Sequence, residues 1–264
     1  MIEVTLLNYA DHNFRSAQRL NSRTGREVAG FDRVLSYGPG DIDARFRDAN
    51  RATLSAPKGG GFWLWKPYFI NRALAELPDG EWLFYCDSGS YFIESVRPAI
   101  EYFASLGENI FCFEDQHAEY KMTKRAVFER LGVEEGEIMA TKQRLGGFLL
   151  FRASDNSRAF VRRWLQLAQE SELINDELAG GGEGERPDFL AHRHDQSLLS
   201  VLSKLSGITA YRDPSQFGNR VSHLYHNSPY GQLIQLTRQR DIPFPKRLKR
   251  WLAANFGRLG SRIS

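Results

Sequence analysis

Six short apolar segments alternate with segments of helical periodicity, and this alternation is the sequence feature that most restricts the fold. The six segments are VTLLNY, RVLSY, EWLFYCD, NIFCFE, GGFLLFR and ITAYRD. Several are apolar at successive positions rather than at alternate ones, as expected of strands that are buried on both faces. The pattern therefore predicts an α/β fold, a single domain with a mainly parallel central sheet flanked by helices.

Four helices are predicted between and after these strands, at residues 65–77, 96–107, 154–170 and 194–207. Each has apolar residues at helical spacing, which indicates one face packed on the sheet. Pro67 suits the first position of the first helix, because proline lacks the amide hydrogen that would be unpaired there. Gly107 suits the position just after the second helix, where a left-handed backbone conformation is common.

The stretch FYCDSGSYF, residues 84–92, ends an apolar strand on Asp87 and follows it with Ser88 and Gly89. Ligands of open α/β sheets bind beyond the carboxyl ends of the strands, where Asp87 is expected. A carboxylate suits a hard cation there, and the small residues leave room for a bulky ligand. An Asp-Ser-Gly turn after a strand also occurs without any ligand, and that alternative stays open.

Upstream, GGGFWLWKPYF combines three glycines with two tryptophans and Lys66. Lys66 lies just before Pro67 and is therefore predicted to meet a phosphate near the helix N-terminus. In the alternative interpretation, the two tryptophans pack in the core and the lysine ends in solvent.

Downstream, HRHDQS brings Arg193, Asp195 and Gln196 together at a helix start. Asp195 alone would fit an N-cap, but one cap does not require a guanidinium and two imidazoles beside it. Farther on, His223 and His226 are three residues apart in SHLYHNSPYG, a spacing that suits either a metal site or an exposed loop.

One segment, NDELAGGGEGERPD at residues 175–188, is acidic and rich in glycine, and it lies directly before FLAHRHDQ. Two interpretations of this segment stay open, an inert insertion and a loop that closes over a ligand.

Taken in order, GFWLWKPYFI, EWLFYCDSGS, GGFLLFR and HRHDQSLLSVL resemble bacterial glycosyltransferases of the GT-A fold, especially those of surface polysaccharide synthesis. The resemblance covers about residues 1 to 230. It implies a nucleotide-sugar at the carboxyl edge of the sheet and an Asp-X-Asp motif that holds a divalent metal, Mn²⁺ or Mg²⁺, against the diphosphate.

In this resemblance Asp87 matches the first aspartate of the motif, and Gly89 stands where the second would be. Some related enzymes use a histidine late in the chain as a metal ligand. The metal set implied here is therefore Asp87 with His223 and His226.

The resemblance also implies roles for the other motifs. Asp195 and Gln196 would flank the anomeric carbon as catalytic residues, and Gly146 and Gly147 would let an acceptor approach the backbone. The donor-binding residues would be Lys66, Asp87, Ser88, Gly89 and Arg193.

The chemistry is consistent with these roles. Cleaving a sugar from a diphosphate builds negative charge on the leaving oxygen and positive charge on the sugar ring. Lys66 or Arg193, with a cation on Asp87, would stabilise the leaving oxygen. Asp195 would stabilise the ring, or act as general base if the reaction inverts the anomeric centre.

The chain carries a net charge of +3, yet residues 244–264 contain several lysines and arginines and no acid. Their apolar residues fall at helical spacings, which predicts a basic amphipathic C-terminal helix after a catalytic domain of residues 1–243. Such a helix suits an anionic membrane surface, or it docks on the domain or on a partner. Nucleic acid is not an expected partner, because the rest of the chain is not basic.

The only cysteines, Cys86 and Cys112, lie inside apolar strands and imply no disulfide. The N-terminal sequence does not resemble a signal peptide, and no apolar run reaches the roughly 18 residues that span a bilayer. These features predict a cytoplasmic protein, peripheral at the inner face of the cell membrane through its tail.

The sequence thus predicts a glycosyltransferase that moves a sugar from a nucleotide-sugar donor to a glycan or glycolipid acceptor. One alternative is a sugar-phosphate nucleotidyltransferase, although LLNYADHNF lacks the glycine-rich signature expected near its N-terminus. The other is a non-catalytic, membrane-peripheral interaction module.

Overall fold

The structure, a computed structural model, describes residues 2–134 and 136–237. Its strands are β1 (Val4–Tyr9), β2 (Arg33–Tyr37), β3 (Trp82–Cys86), β4 (Ser90–Phe92), β5 (Ile110–Ala118), β6 (Lys142–Arg152), β7 (Ala210–Tyr211) and β8 (Ile234–Leu236). The predicted tail, residues 244–264, lies outside the described residues, so its helix stays a prediction.

The longer helices are α1 (Arg15–Thr24), α5 (Trp65–Glu76), α6 (Arg97–Ser105), α10 (Asp155–Gln169) and α12 (His194–Leu205). The shorter ones are α2 (Ala44–Ala49), α3 (Arg51–Leu54), α4 (Gly59–Phe62), α7 (Glu119–Met122), α8 (Arg125–Arg130), α9 (Glu137–Ala140), α11 (Ser171–Ile174) and α13 (Gln216–Asn219). A π-helical turn spans Gly25–Ala29, and 3-10 turns span Pro39–Asp41, Ala179–Gly182 and Ser222–Leu224. Among these described helices, none is long and apolar enough to cross a membrane.

Six strands form the central sheet in the order β2-β1-β3-β6-β5-β7. β1 is parallel to β2 and β3, β5 is parallel to β7, and β6 is antiparallel to both of its neighbours. The prediction of an α/β fold with a mainly parallel sheet flanked by helices is confirmed. Each of the six predicted strand segments contributes to this sheet, whereas β4 and β8, which pair with each other, were not predicted.

Both faces of the sheet are buried, and alternate strand residues serve opposite faces. On β3, Trp82, Phe84 and Cys86 belong to one apolar cluster, in which they pack with residues of α6. Leu83 and Tyr85 belong to the other cluster, which α5, α10 and α12 complete. This double burial explains why the strands read as continuous apolar runs.

The four predicted helices correspond to α5, α6, α10 and α12, with ends that agree within two residues. Pro67 is the third residue of α5 rather than the first, because the helix already begins at Trp65. Gly107 follows α6 with φ of 75°, the left-handed conformation expected after a helix end.

The chain order of the strands creates a crevice at one edge of the sheet. β1 connects to β2 on one side and has β3 on its other side, so the strand order reverses between β1 and β3. Ligands of open α/β sheets bind at such a reversal, outside the carboxyl ends of the strands. Here the Ser88 hydroxyl donates to the carbonyl of Tyr9 at 2.6 Å, which joins the ends of these two strands.

Candidate active site

Asp87 lies one residue beyond β3, on the face that carries α5 and α12. The two-residue period of the strand puts it in register with Leu83 and Tyr85, which pack on that face. Its amide donates to the carbonyl of Gly147 at 2.9 Å, so the β3–β6 ladder extends to this residue. Its side chain remains 38% exposed, which makes it the accessible acid of the site.

Lys66 is the second residue of α5, and its ammonium lies between two carboxylates. Nζ is 2.8 Å from Oδ2 of Asp195 and 3.8 Å from Oδ1 of Asp87. The side chains of Lys66 and Asp195 are each only 4% exposed. The interpretation of Lys66 as a solvated tip is therefore wrong, and so is that of Asp195 as an N-cap, because its carboxylate turns to Lys66.

The charges in this cluster, which we call the Lys66 triad (Lys66, Asp87 and Asp195), are unequal. Burial by itself lowers the pKa of Lys66, but the Asp195 and Asp87 carboxylates raise it above its ordinary value. Burial raises the pKa of Asp195 to about 6, against the opposing effect of Lys66. The two carboxylates favour the protonated form of Lys66. The single ammonium offsets only part of the effect of burial on Asp195.

One oxygen of Asp195, Oδ2, has the Lys66 ammonium as its partner. The two atoms lie 2.8 Å apart, and no other described residue donates a hydrogen bond to Oδ2. A carboxylate oxygen can accept more than one hydrogen bond. Oδ2 therefore keeps acceptor capacity for a hydroxyl or for a developing positive charge on a ligand.

Tyr85 fixes the orientation of Asp87. Its hydroxyl donates to Oδ1 of Asp87 at 2.5 Å. Burial, and then the nearby Asp87 carboxylate, raise the pKa of Tyr85 well above its ordinary value, so the hydroxyl keeps its proton. The other oxygen of Asp87 faces Gly147, in the middle of β6.

Gln196 is held from two sides. Its Oε1 accepts the amide hydrogen of Gly146 at 3.0 Å, and its Nε2 donates to Oε1 of Gln143 at 2.8 Å. The Gln143 side chain in turn donates to Thr123 and to the buried Glu119. The start of α12 is thereby fixed to the first half of β6.

The two glycines in the middle of β6 make room for side chains of the site itself. A Cβ on Gly147 would lie 3.1 Å from Oδ2 of Asp87, and one on Gly146 would lie 3.0 Å from Cβ of Gln196. The close packing of Asp87 and Gln196 thus accounts for both glycines. Contact between these glycines and an acceptor stays a prediction.

Ser88 and Gly89, both predicted to bind the donor, have structural contacts here. The Ser88 hydroxyl joins β3 to β1, as described above, and the carbonyl of Gly89 accepts from the amide of Thr237 at 2.9 Å. Their role in binding the donor at the β1–β3 crevice stays a prediction.

Arg193 pairs with acids other than those of the triad. It forms an ion pair with Asp115, near the end of β5, and its Nη2 lies 3.2 Å from Nδ1 of His117. Because β5 is parallel to β3, this second cluster lies at the same edge of the sheet. The Arg193 guanidinium lowers the pKa of Asp115 against the effect of burial, which raises it.

The predicted metal set is not assembled. His223, in the 3-10 turn after α13, and His226 are both exposed. Within residues 2–134 and 136–237, no three acidic, histidine or cysteine side chains are grouped to hold a metal. Asp87 supplies a single carboxylate, one of whose oxygens already accepts from Tyr85 and faces the Lys66 ammonium. A divalent cation would meet repulsion from that ammonium, so these residues do not fit a dedicated metal site.

Several residues of the site were not predicted from the sequence. Tyr85 was within reach, because it precedes Asp87 by two residues and must share its face of the strand. Asp115 was also within reach, since it lies near the end of a predicted strand. The role of Gln143 could not be predicted from local sequence, because its contact with Gln196 joins residues 53 apart in the chain.

The chain is similar in fold to solved glycosyltransferases. The apo structure of mouse xyloside xylosyltransferase 1 has a TM-score of 0.51 at 10% identity, and the match covers 89% of this chain and 97% of that one. Galactosyltransferase LgtC in complex with donor and acceptor sugar analogs has a TM-score of 0.49 at 15% identity, covering 98% and 96%.

No protein-family model matches the sequence, and no curated protein matches it. The sequence identities to the solved structures are low, so the likeness concerns the fold. The chain has the α/β architecture of GT-A glycosyltransferases.

Replacement of Asp195 by asparagine is expected to change the pH dependence of stability. Because the folded-state pKa of about 6 exceeds the unfolded value of 3.8, the folded protein binds a proton that the unfolded chain releases. The wild-type free energy of unfolding should therefore fall relative to Asp195→Asn as the pH rises from 4 to 6, by on the order of 2 kcal/mol.

Urea unfolding at several pH values between 4 and 7.5 measures this difference, which should level off above pH 6. Two results would contradict the raised pKa of Asp195. The difference in free energy of unfolding between the wild type and Asp195→Asn would stay constant with pH, or it would rise with pH, as for a carboxylate with a lowered pKa.

Proposed function

We propose that the protein is a glycosyltransferase that moves a sugar from a nucleotide-sugar donor to a hydroxyl of a glycan or glycolipid acceptor. The main supporting observation is the Lys66 triad, a buried ammonium 2.8 Å and 3.8 Å from two carboxylates at the carboxyl edge of a GT-A sheet. Buried ionisable groups of this kind are concentrated at functional sites.

The triad matches the charge changes of glycosyl transfer. As the bond to the diphosphate breaks, the sugar ring gains positive charge and the leaving oxygen gains negative charge. The Asp195 carboxylate, whose Oδ2 has no donor other than Lys66 among the described residues, is suited to the ring. The Lys66 ammonium beside it has three donors and is suited to the leaving oxygen.

Asp195 must be ionised in either stereochemical course. As a stabiliser of the ring or as general base on the acceptor hydroxyl, it acts as the carboxylate. Since its pKa is about 6, this form predominates at pH 7 and above. The maximal rate should therefore rise with pH through about 6.

The donor is placed at the β1–β3 crevice, with Asp87, Ser88 and Gly89 beside the diphosphate. The acceptor is placed beside Gly146 and Gly147, in the middle of β6. The Arg193 cluster lies at the same edge of the sheet. The resemblance of the motifs to enzymes of surface polysaccharide synthesis supports a glycan or glycolipid acceptor. No step of this proposal passes through a metal ion.

Binding of nucleoside diphosphates tests the proposal. We expect one of UDP, GDP, CDP or ADP, in the presence or absence of Mn²⁺, to raise the melting temperature. A ligand at 100 times its Kd contributes about 2.7 kcal/mol, which corresponds to roughly 5 °C or more for a chain of this size. Asp87→Ala should weaken the shift.

Asp155→Asn is the matched control, because this exposed acid follows β6 at the opposite edge of the sheet. If no nucleotide stabilised the wild type, the proposal would be wrong and a non-catalytic module would be favoured. Stabilisation by a nucleoside triphosphate alone, with release of pyrophosphate when a sugar phosphate is added, would instead indicate a nucleotidyltransferase.

We also propose that residues 245–264 bring the enzyme to an anionic membrane surface, because each of their basic residues contributes on the order of 1 kcal/mol there. Deleting residues 245–264 should reduce co-sedimentation with anionic liposomes severalfold at 0.1 M salt, with no change on neutral liposomes. Equal binding of the full chain and the shortened chain would contradict this part of the proposal.

A further inference from the structure

Backbone strain is concentrated at one contact beside the triad. Within the described ranges, the non-glycine residues with positive φ are Phe62 at 51°, Trp63 at 61° and His194 at 51°. Their rings touch: the His194 ring lies 5.2 Å from the Phe62 ring at an interplanar angle of 14°, and 5.2 Å from the Trp63 ring. Such conformations are costly for bulky residues and cluster at functional sites.

These strained residues lie at or just before the starts of the two helices that carry the buried ion pair. Trp63 lies three residues before Lys66, at the entry to α5, and His194 is the first residue of α12, directly before Asp195. The contact between their rings therefore joins the two helix starts at the point where Lys66 and Asp195 meet.

The glycine run is part of the same arrangement. Gly59, Gly60 and Gly61 have φ of 60°, 60° and 99°, which allow the chain to reverse into Phe62 and Trp63. A Cβ on Gly61 would lie 2.7 Å from Cα of Leu54, so only glycine fits this turn. The run thus shapes the entry to α5.

Asp176, in the acidic segment before α12, anchors both turns. Its Oδ1 lies 3.0 Å from Nε2 of His194, and both of its oxygens accept from Nζ of Lys58 at 2.8 and 3.0 Å. Because a carboxylate only accepts, the bond to His194 requires the proton on Nε2. Lys124 fixes the same segment through bonds to Asn175 and to the carbonyl of Glu177.

We propose that His194, held by Asp176, is a positioning residue that keeps the Asp195 carboxylate against the Lys66 ammonium. Without the imidazole, the first residue of α12 loses both the ring contacts and the bond that offset its strain. The start of the helix then relaxes and Asp195 moves away from Lys66. The catalytic consequence rests on the proposed glycosyltransferase function, whereas the structural one does not.

A double-mutant cycle of stability tests the structural part. Lys66→Met leaves Asp195 buried without its cation and should destabilise the wild type strongly. In the His194→Ala background, where Asp195 has already moved away, the same substitution should destabilise at most half as much. Urea unfolding of the four proteins at pH 7.5 measures the two losses, and equal losses would overturn the proposal.

Measurements of kcat and KM separate a positioning role of His194 from a general structural role. His194→Ala and Asp176→Ala should each lower the kcat of donor cleavage at least tenfold, with the KM for the donor within about twofold. Asp176→Asn should recover most of the loss, because its amide oxygen still accepts from Nε2 of His194. Leu190→Ala, at a 65% exposed residue between the acidic segment and α12, should match the wild type.

The experiments distinguish failure of the proposed function from failure of the positioning role of His194. A wild type that cleaves no nucleotide-sugar would contradict the proposed function but would leave the stability cycle to decide the role of His194. Unchanged kcat in His194→Ala, or a loss in Asp176→Asn as large as in Asp176→Ala, would contradict the positioning role in an active enzyme.

Discussion

The site depends on the burial of one ammonium between two carboxylates at the edge of the sheet. Removing Lys66 and Asp195 from water costs several kcal/mol per ion, and their mutual attraction offsets this only if the geometry is held. The surrounding structure holds it. Tyr85 fixes Asp87, Gln143 and Gly146 fix Gln196 beside Asp195, and the indole of Trp164 donates to the carbonyl of Asp195 at 2.9 Å.

This requirement explains residues that would otherwise look unrelated. The glycines in the middle of β6 lie where Asp87 and Gln196 need the space of a side chain. Those before α5 allow the turn that brings Lys66 to the edge. The acidic segment, of which Asp176 is part, joins the start of α12 to the turn that precedes α5. Small and acidic residues that are far apart in the sequence thus maintain one ion-pair geometry.

Local pattern was enough to predict the fold and one end of the site. Burial on both faces leaves continuous apolar runs, so all six strands of the central sheet were recognisable, and with them the edge where Asp87 lies. β4 and β8 have only three residues each, so the sequence shows no continuous apolar run for them. The partner of Lys66 was not predictable, because Asp195 is brought to it by the packing of α12 on β6 and α10.

The metal set shows the limit of reasoning from a motif. Asp87 suggested a cation site, and Gly89 suggested that the missing ligand came from His223 or His226. The structure instead puts the Lys66 ammonium beside Asp87 and leaves both histidines exposed. The ammonium of Lys66, on α5, thus lies beside the Asp87 carboxylate, which was expected to bind a metal ion.

The most direct test of the account is the release of nucleoside diphosphate from a panel of nucleotide-sugars at pH 7.5, with and without an acceptor glycan. The account predicts release by the wild type and by Asp155→Asn, and at least a hundredfold slower release by both Lys66→Met and Asp195→Asn. Release at the same rate by all four folded proteins would contradict the assignment of the Lys66 triad as the catalytic centre.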